Sequence, residues 1–109
     1  MKKKQNDPAK WRNEKDFQKA VVKLFQDNGW KVAAFNETGR RTWKGNIGWP
    51  DLVAVQFCRM IVMELKYGHN TPSDEQVNWL KALMKTGARV FVCWPEHWQK
   101  LERLARGEE

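Results

Sequence analysis

The chain has 109 residues, of which 41% are hydrophobic and 30% are charged, a composition that excludes a disordered or fibrous protein. This length suits one domain with its own core, and no stretch approaches the roughly 20 apolar residues of a membrane span. Lysine and arginine number 20 against 13 acidic residues, so the net charge is +7. Such an excess favours binding to polyanions, although it can also serve solubility alone.

The amino-terminal end is polar and lysine-rich. We predict a flexible basic arm over residues 1–8, followed by a single domain over residues 9–109. Because no apolar segment follows the first lysines, no signal peptide is expected. The sequence therefore predicts a cytoplasmic protein that does not contact a membrane.

The first predicted helix covers residues 9–27. Asp7-Pro8 is typical of a helix start, with a capping residue before proline. Downstream, Phe17, Val21 and Phe25 recur on one helical face. Asn28-Gly29 is a typical end for such a helix.

Three strands and a long loop are predicted next. Trp30–Phe35, Asp51–Phe57 and Met60–Lys66 are apolar enough for strands, and residues 36–50 between the first two form a long polar loop. Loops of this length inside a compact domain are usually functional or disordered. Cys58 and Cys93 lie in apolar runs, so both are expected to be buried thiols.

The carboxyl-terminal half continues with a helix, a strand and a helix. Ser73 with Gln76 three residues later forms the capping box of a helix, which ends at Gly87. A strand over Arg89–Trp94 precedes a last helix that begins at Pro95 and runs through Leu104. The predicted order α-β-β-β-α-β-α indicates an α/β fold with a mixed central sheet flanked by helices.

Charged residues at the ends of two apolar strands point to chemistry. Pro50-Asp51 opens one strand, and Glu64-Leu65-Lys66 closes the next. Glu64 and Lys66 project from one face of their strand, and a hairpin can place the Asp51 carboxylate beside that of Glu64. Two adjacent carboxylates repel each other unless a cation lies between them, and an oxygen-lined pocket of this kind suits Mg²⁺. The simpler alternative is an ion pair at the end of a sheet.

The pattern Pro50-Asp51 followed by Glu64-Leu65-Lys66 resembles the PD-(D/E)xK nuclease superfamily. More closely, the chain is similar to the virus-type replication–repair nuclease (VRR-NUC) branch, which includes many small phage proteins. Four segments in order carry this similarity: Gly48-x-Pro50-Asp51-Leu52, Met63–Lys66, Ser73-x-x-Gln76-x-x-Trp79-Leu80 and the strand over 87–92. The resemblance spans about residues 10–95. It implies a restriction-endonuclease-like core and hydrolysis of DNA phosphodiester bonds with Mg²⁺ or Mn²⁺.

The same resemblance implies roles for individual residues. Asp51, Glu64 and the backbone carbonyl of Leu65 would bind the metal, and Lys66 would be the catalytic lysine. A glutamate on the first helix often reaches the metal in this family. Glu14 fits that place, with Glu37 in the loop as a rival.

Several further residues have more than one possible role or are assigned to DNA binding. Gln76 matches a glutamine near the active site of the family, a role that competes with its capping-box role. Arg40, Arg41 and Lys44 are the predicted contacts to DNA phosphates. Trp43 could stack on DNA or tether the loop.

Related small nucleases that resolve four-way junctions act as homodimers, so the resemblance implies a homodimer acting on branched DNA. A flap, a nick or a plain duplex is an alternative substrate. The rival function is a non-catalytic basic DNA-binding module of the same fold. RNA is less favoured because no RNA-recognition stacking motif is present, and a purely structural protein would leave Glu64 and Lys66 unexplained.

Overall fold

The computed structural model describes residues 11–35 and 48–108. Its helices and strands follow the predicted order α-β-β-β-α-β-α, with a short 3-10 turn at Pro95–His97 before the last helix. The elements are α1 (Glu14–Asp27), β1 (Lys31–Ala34), β2 (Leu52–Gln56), β3 (Arg59–Leu65), α2 (Asp74–Met84), β4 (Arg89–Cys93) and α3 (Trp98–Ala105). None of the helices within these ranges is long and apolar enough to cross a membrane.

The four strands form one mixed sheet, as predicted. Their order is β1-β2-β3-β4, with the first three antiparallel and β4 parallel to β3. A two-residue turn, Phe57-Cys58, joins β2 to β3, since Gln56 pairs with Arg59. A parallel neighbour needs a longer crossover, and α2 supplies it between β3 and β4.

Helix α1 begins later than the sequence predicted. Asn13 is its cap and accepts a hydrogen bond from the Asp16 amide at 2.8 Å, so the predicted start at residue 9 is wrong. Trp11 instead packs against Trp98 with ring centroids 4.9 Å apart, and its carbonyl accepts a hydrogen bond from the Tyr67 hydroxyl. These long-range contacts hold the segment before Asn13 in a non-helical path. Asp7-Pro8 and the predicted basic arm lie outside the described residues.

The hydrophobic core lies between one face of the sheet and the helices α1 and α3. The sheet contributes alternate residues of each strand, as the twofold period of a strand requires. The helices contribute the residues of their apolar faces, as helical periodicity predicted. The buried set includes Phe17, Val21, Phe25, Leu52, Ala54, Ile61, Met63, Leu65, Cys93, Leu101 and Leu104.

The opposite face of the sheet carries the buried Glu64 side chain. Ile61, Met63 and Leu65 face α1 and α3, so Val62 and Glu64 point to the other side, where α2 packs against β4. Both sides of the sheet are therefore covered near the end of β3.

The two cysteines differ in exposure. Cys93 is buried in β4 as predicted, whereas Cys58 is exposed. The prediction of a buried Cys58 is wrong because residue 58 belongs to the hairpin turn rather than to a strand.

Candidate active site

Asp51 and Glu64 meet where β2 begins and β3 ends. Leu52 pairs with Met63, which brings the preceding residue Asp51 beside the following residue Glu64. The Leu65 amide donates a hydrogen bond to Asp51 Oδ2 at 2.8 Å. Asp51 is 7% exposed and Glu64 is 1% exposed. The predicted juxtaposition of the two carboxyl groups is therefore present, in a setting that excludes most water.

Burial makes both carboxyl groups hard to ionise. Burial raises the pKa of Asp51 from 3.8 to about 6. The hydrogen bond from the Leu65 amide lowers this pKa, and the negative charge of Glu14 raises it further. Burial also raises the pKa of Glu64 from 4.5 to about 7, with repulsion from Asp51 as the next cause and Lys66 opposing the rise. A cation between the two groups would remove the repulsion and favour the charged forms.

Lys66 and Gln76 complete a connected group around Glu64. Lys66 Nζ lies 3.1 Å from Glu64 Oε2 and donates to Gln76 Oε1 at 2.9 Å. Gln76 Nε2 donates to the same Glu64 oxygen at 2.8 Å. The Lys66 side chain is 12% exposed, so its ammonium group is held between two partners rather than extended into solvent.

Gln76 makes the contacts of both alternatives that the sequence left open, to Ser73 and to Lys66. Its backbone N–H donates a hydrogen bond to Ser73 Oγ at 3.1 Å. In return, Gln76 Oε1 accepts from the Ser73 amide at 2.8 Å, which completes the capping box of α2. Because Oε1 accepts from Ser73 and from Lys66, the amide nitrogen must face the Glu64 carboxylate. The start of α2 thus fixes the orientation of the side chain that contacts Lys66.

Glu14 stands beside this group rather than within it. It is the first residue of α1, is partly buried, and its charge contributes to the raised pKa of Asp51. Across residues 11–35 and 48–108, no three His, Cys, Asp or Glu side chains are grouped closely enough to hold a metal ion. The rival Glu37, the predicted DNA contacts Arg40, Arg41 and Lys44, and Trp43 all lie outside the described residues.

The chemistry of the pair nevertheless fits a hard divalent cation. Glu64 Oε1 is buried and has no hydrogen-bond partner among the described residues, which is a costly state for a polar atom. Mg²⁺ commonly uses only one or two protein carboxylates and completes its shell with water and substrate phosphate. Asp51 and Glu64 supply that number, so the residues present are compatible with Mg²⁺ or Mn²⁺.

A cluster of aromatic rings beside the site was not predicted. The Trp49 ring lies 4.8 Å from the Trp79 ring and 5.7 Å from the Phe35 ring, measured between centroids. Gly48, with φ of 88°, passes so close to α2 that an added Cβ would lie 2.6 Å from the carbonyl carbon of Glu75. The cluster therefore packs the segment leading to Asp51 against α2. Trp79 three residues after Gln76 was the available signal, since that spacing places both on one side of a helix.

Comparisons with known proteins give a fold-level likeness. No protein-family model matches the chain, and a search of curated proteins finds no match. Among solved structures, the chain is similar to a Holliday junction resolvase from Archaeoglobus fulgidus, an archaeal hyperthermophile. The identity is 20%, the TM-score is 0.49, and the match covers 72% of this chain and 64% of the resolvase chain. At this identity and TM-score the likeness says nothing about activity, and membership of the VRR-NUC branch stays a prediction.

Proposed function

We propose that this chain is a divalent-metal-dependent nuclease of the PD-(D/E)xK type that hydrolyses DNA phosphodiester bonds. The observation that supports this most is the buried pair Asp51 and Glu64, with the Lys66 ammonium group 3.1 Å from Glu64. Buried charged groups are costly unless they are paired or bind a metal. Two carboxyl groups with one lysine leave a negative charge that a cation would balance.

Asp51, Glu64 and the backbone carbonyl of Leu65 would hold the metal, with Glu14 reaching it from the first turn of α1. When bound, Mg²⁺ or Mn²⁺ would supply Lewis acidity toward the phosphate and lower the pKa of a bound water. Hard oxygen ligands accept either ion.

Lys66 acts as the positioned positive charge. An ammonium group has three donors, and among the described residues Glu64 and Gln76 engage two of them. The third is available to orient an attacking water or to stabilise the charge that develops on the phosphoryl oxygens. Gln76 keeps this ammonium group at a fixed distance from Glu64.

The proposed substrate is branched DNA, and the proposed active form is a homodimer. One chain of this size carries one site, whereas cutting both strands of a junction needs two sites. The net charge of +7 favours phosphate binding, and Arg40, Arg41 and Lys44 are the proposed contacts. These assignments rest on the sequence resemblance.

The decisive experiment incubates the purified chain with four-way, flap, single-stranded and duplex DNA and with RNA. Each substrate is tested with Mg²⁺, Mn²⁺ or EDTA. We expect metal-dependent cleavage of DNA. The cleavage rate should fall by about 100-fold or more in Asp51→Asn and in Glu64→Gln, because each substitution removes a metal ligand. Lys66→Met should lose a similar factor through loss of a stabilising charge.

Asp27→Asn is a matched control, since Asp27 is an exposed acid at the far end of α1, and its cleavage rate should equal that of the parent. Binding measured by fluorescence anisotropy should survive in the inactive variants. A non-catalytic DNA-binding module would bind the same substrates and leave all of them uncut with either ion. That result, or full activity of Asp51→Asn, would refute the proposal.

A further inference from the structure

The turn between β2 and β3 presents an aromatic ring that the fold does not use. The Phe57 side chain is 94% exposed. Its φ of 53° lies in the left-handed region, where a side chain with a Cβ is disfavoured and glycine or asparagine is the usual choice for a two-residue hairpin turn. Neither packing nor turn geometry therefore explains a phenylalanine at this position.

A groove with two arginines adjoins the same turn. It has a volume of about 330 Å³ and is lined by Cys58, Arg59, Met60 and residues 86–89. Arg59 and Arg89 come from the neighbouring strands β3 and β4, and no acidic side chain is among these lining residues. The groove therefore combines positive charge with an apolar wall.

Each of the two guanidinium groups lies over an aromatic ring. Arg59 lies 5.1 Å from the centroid of the Trp30 ring, and Arg89 lies 5.5 Å from that of Phe91. The Arg59 guanidinium also donates to the Gln56 side chain. An arginine has five N–H donors, so a guanidinium that already has other partners can also donate to a phosphate.

We propose that this turn is a second DNA contact, in which Phe57 stacks on an unpaired base while Arg59 and Arg89 bind adjacent phosphates. An aromatic side chain beside arginines is the usual means of binding unstacked nucleic acid. Seven residues separate Phe57 from Glu64, so at about 3.3 Å per residue their backbones lie roughly 23 Å apart along β3.

The proposal rests on the proposed function and refines its substrate class. The preferred DNA carries unpaired or distorted bases away from the phosphodiester that is cut. A branch point and a single-stranded flap both provide such bases, whereas an intact duplex does not. The turn would therefore select the substrate, while Asp51, Glu64 and Lys66 cut it.

The test compares Phe57→Gly with the parent, both in the Asp51→Asn background so that binding is measured without cleavage. Glycine adopts the observed φ without strain, so the melting temperature should stay equal or rise. Binding of a duplex with a bulge of three unpaired bases should weaken by roughly 10-fold, the order expected for the loss of one stacked base. Binding of the fully paired duplex should change by less than about twofold, since backbone contacts dominate there. Phe57→Trp should bind the bulged duplex as tightly as the parent.

Two further variants complete the design. Met84→Ala removes a different exposed apolar side chain, which is 54% exposed, and should leave both affinities unchanged. Arg89→Gln should lower the slope of log affinity against log salt concentration by about one on the bulged duplex.

Unchanged affinity of Phe57→Gly for the bulged duplex would overturn this proposal. So would conversion of a dimer to a monomer by that substitution without DNA, since Phe57 would then be a contact between protein chains. If the parent binds DNA but never cuts it, the proposed function fails while the Phe57 comparison still decides the role of the turn. Absence of DNA binding by the parent would refute both.

Discussion

Replacing Asp51 by asparagine should stabilise the metal-free protein above neutral pH, although it removes a proposed metal ligand. In the folded chain, burial raises the pKa of Asp51 to about 6 and that of Glu64 to about 7. Both values lie above those of the unfolded chain. The protonated forms are therefore favoured by folding, and this contribution to stability is complete below about pH 4 and disappears as the pH rises through 6 and 7.

The magnitude follows from the shift itself. One pKa unit corresponds to about 1.4 kcal/mol, so ionising Asp51 in the folded chain costs on the order of 3 kcal/mol. Asparagine avoids this cost and keeps an oxygen that can accept the Leu65 amide hydrogen bond. It also removes the repulsion that raises the pKa of Glu64. A gain of about 2–3 kcal/mol at pH 8 would raise the melting temperature by roughly 10 °C or more in a domain of this size.

Thermal unfolding followed by circular dichroism in EDTA, at pH 5 and pH 8, measures the effect. The parent should melt at a lower temperature at pH 8 than at pH 5, and Asp51→Asn should show a smaller difference. Mn²⁺ added at pH 8 should stabilise the parent but not the variant. Asp27→Asn serves again as the exposed control, with little change expected. A parent equally stable at both pH values, together with an Asp51→Asn variant less stable than the parent at pH 8, would refute the reasoning.

Three further predictions concern positions around the site and in the core. Gly48→Ala should lower the free energy of unfolding by about 1–3 kcal/mol in urea titrations, because φ is 88° and the new Cβ would lie 2.6 Å from the Glu75 backbone. An unchanged urea midpoint would contradict the close approach of Gly48 to α2. Trp30→Phe removes a buried hydrogen bond of 2.8 Å to a carbonyl of α3 and should cost about 1–3 kcal/mol, whereas an equally stable variant would show that water replaces the indole. In a thiol titration at pH 8, Cys58 should react in the native protein and Cys93 only after unfolding, because burial raises the pKa of Cys93 to about 12. Rapid reaction of both thiols in the native protein would contradict the burial of Cys93.

Local patterns in the sequence were sufficient for most of the fold and for the grouping of Asp51, Glu64 and Lys66. The capping box at Ser73 and Gln76 is complete within four residues, so its prediction needed no tertiary information and is confirmed. Glu64 and Lys66 are placed by the twofold period of one strand, and the meeting of Glu64 with Asp51 requires only that β2 and β3 form a hairpin.

The errors arose where distant residues override a local signal. Asp7-Pro8 has the form of a helix start, but α1 begins at Glu14 because Trp11 packs against Trp98 instead of joining the helix. Cys58 follows an apolar run, yet it is exposed because the chain reverses at Phe57. Neither outcome could be predicted from periodicity, since each depends on contacts or turns that periodicity does not encode.

The hydrogen bonds of Gln76 to both Ser73 and Lys66 have a consequence for protein engineering. A transplant of Asp51, Glu64 and Lys66 onto another scaffold would move these three side chains but leave behind the Gln76 amide that contacts the lysine. A graft that keeps this arrangement must also carry Ser73 and the first turn of α2, because the glutamine is oriented by the helix that it helps to begin.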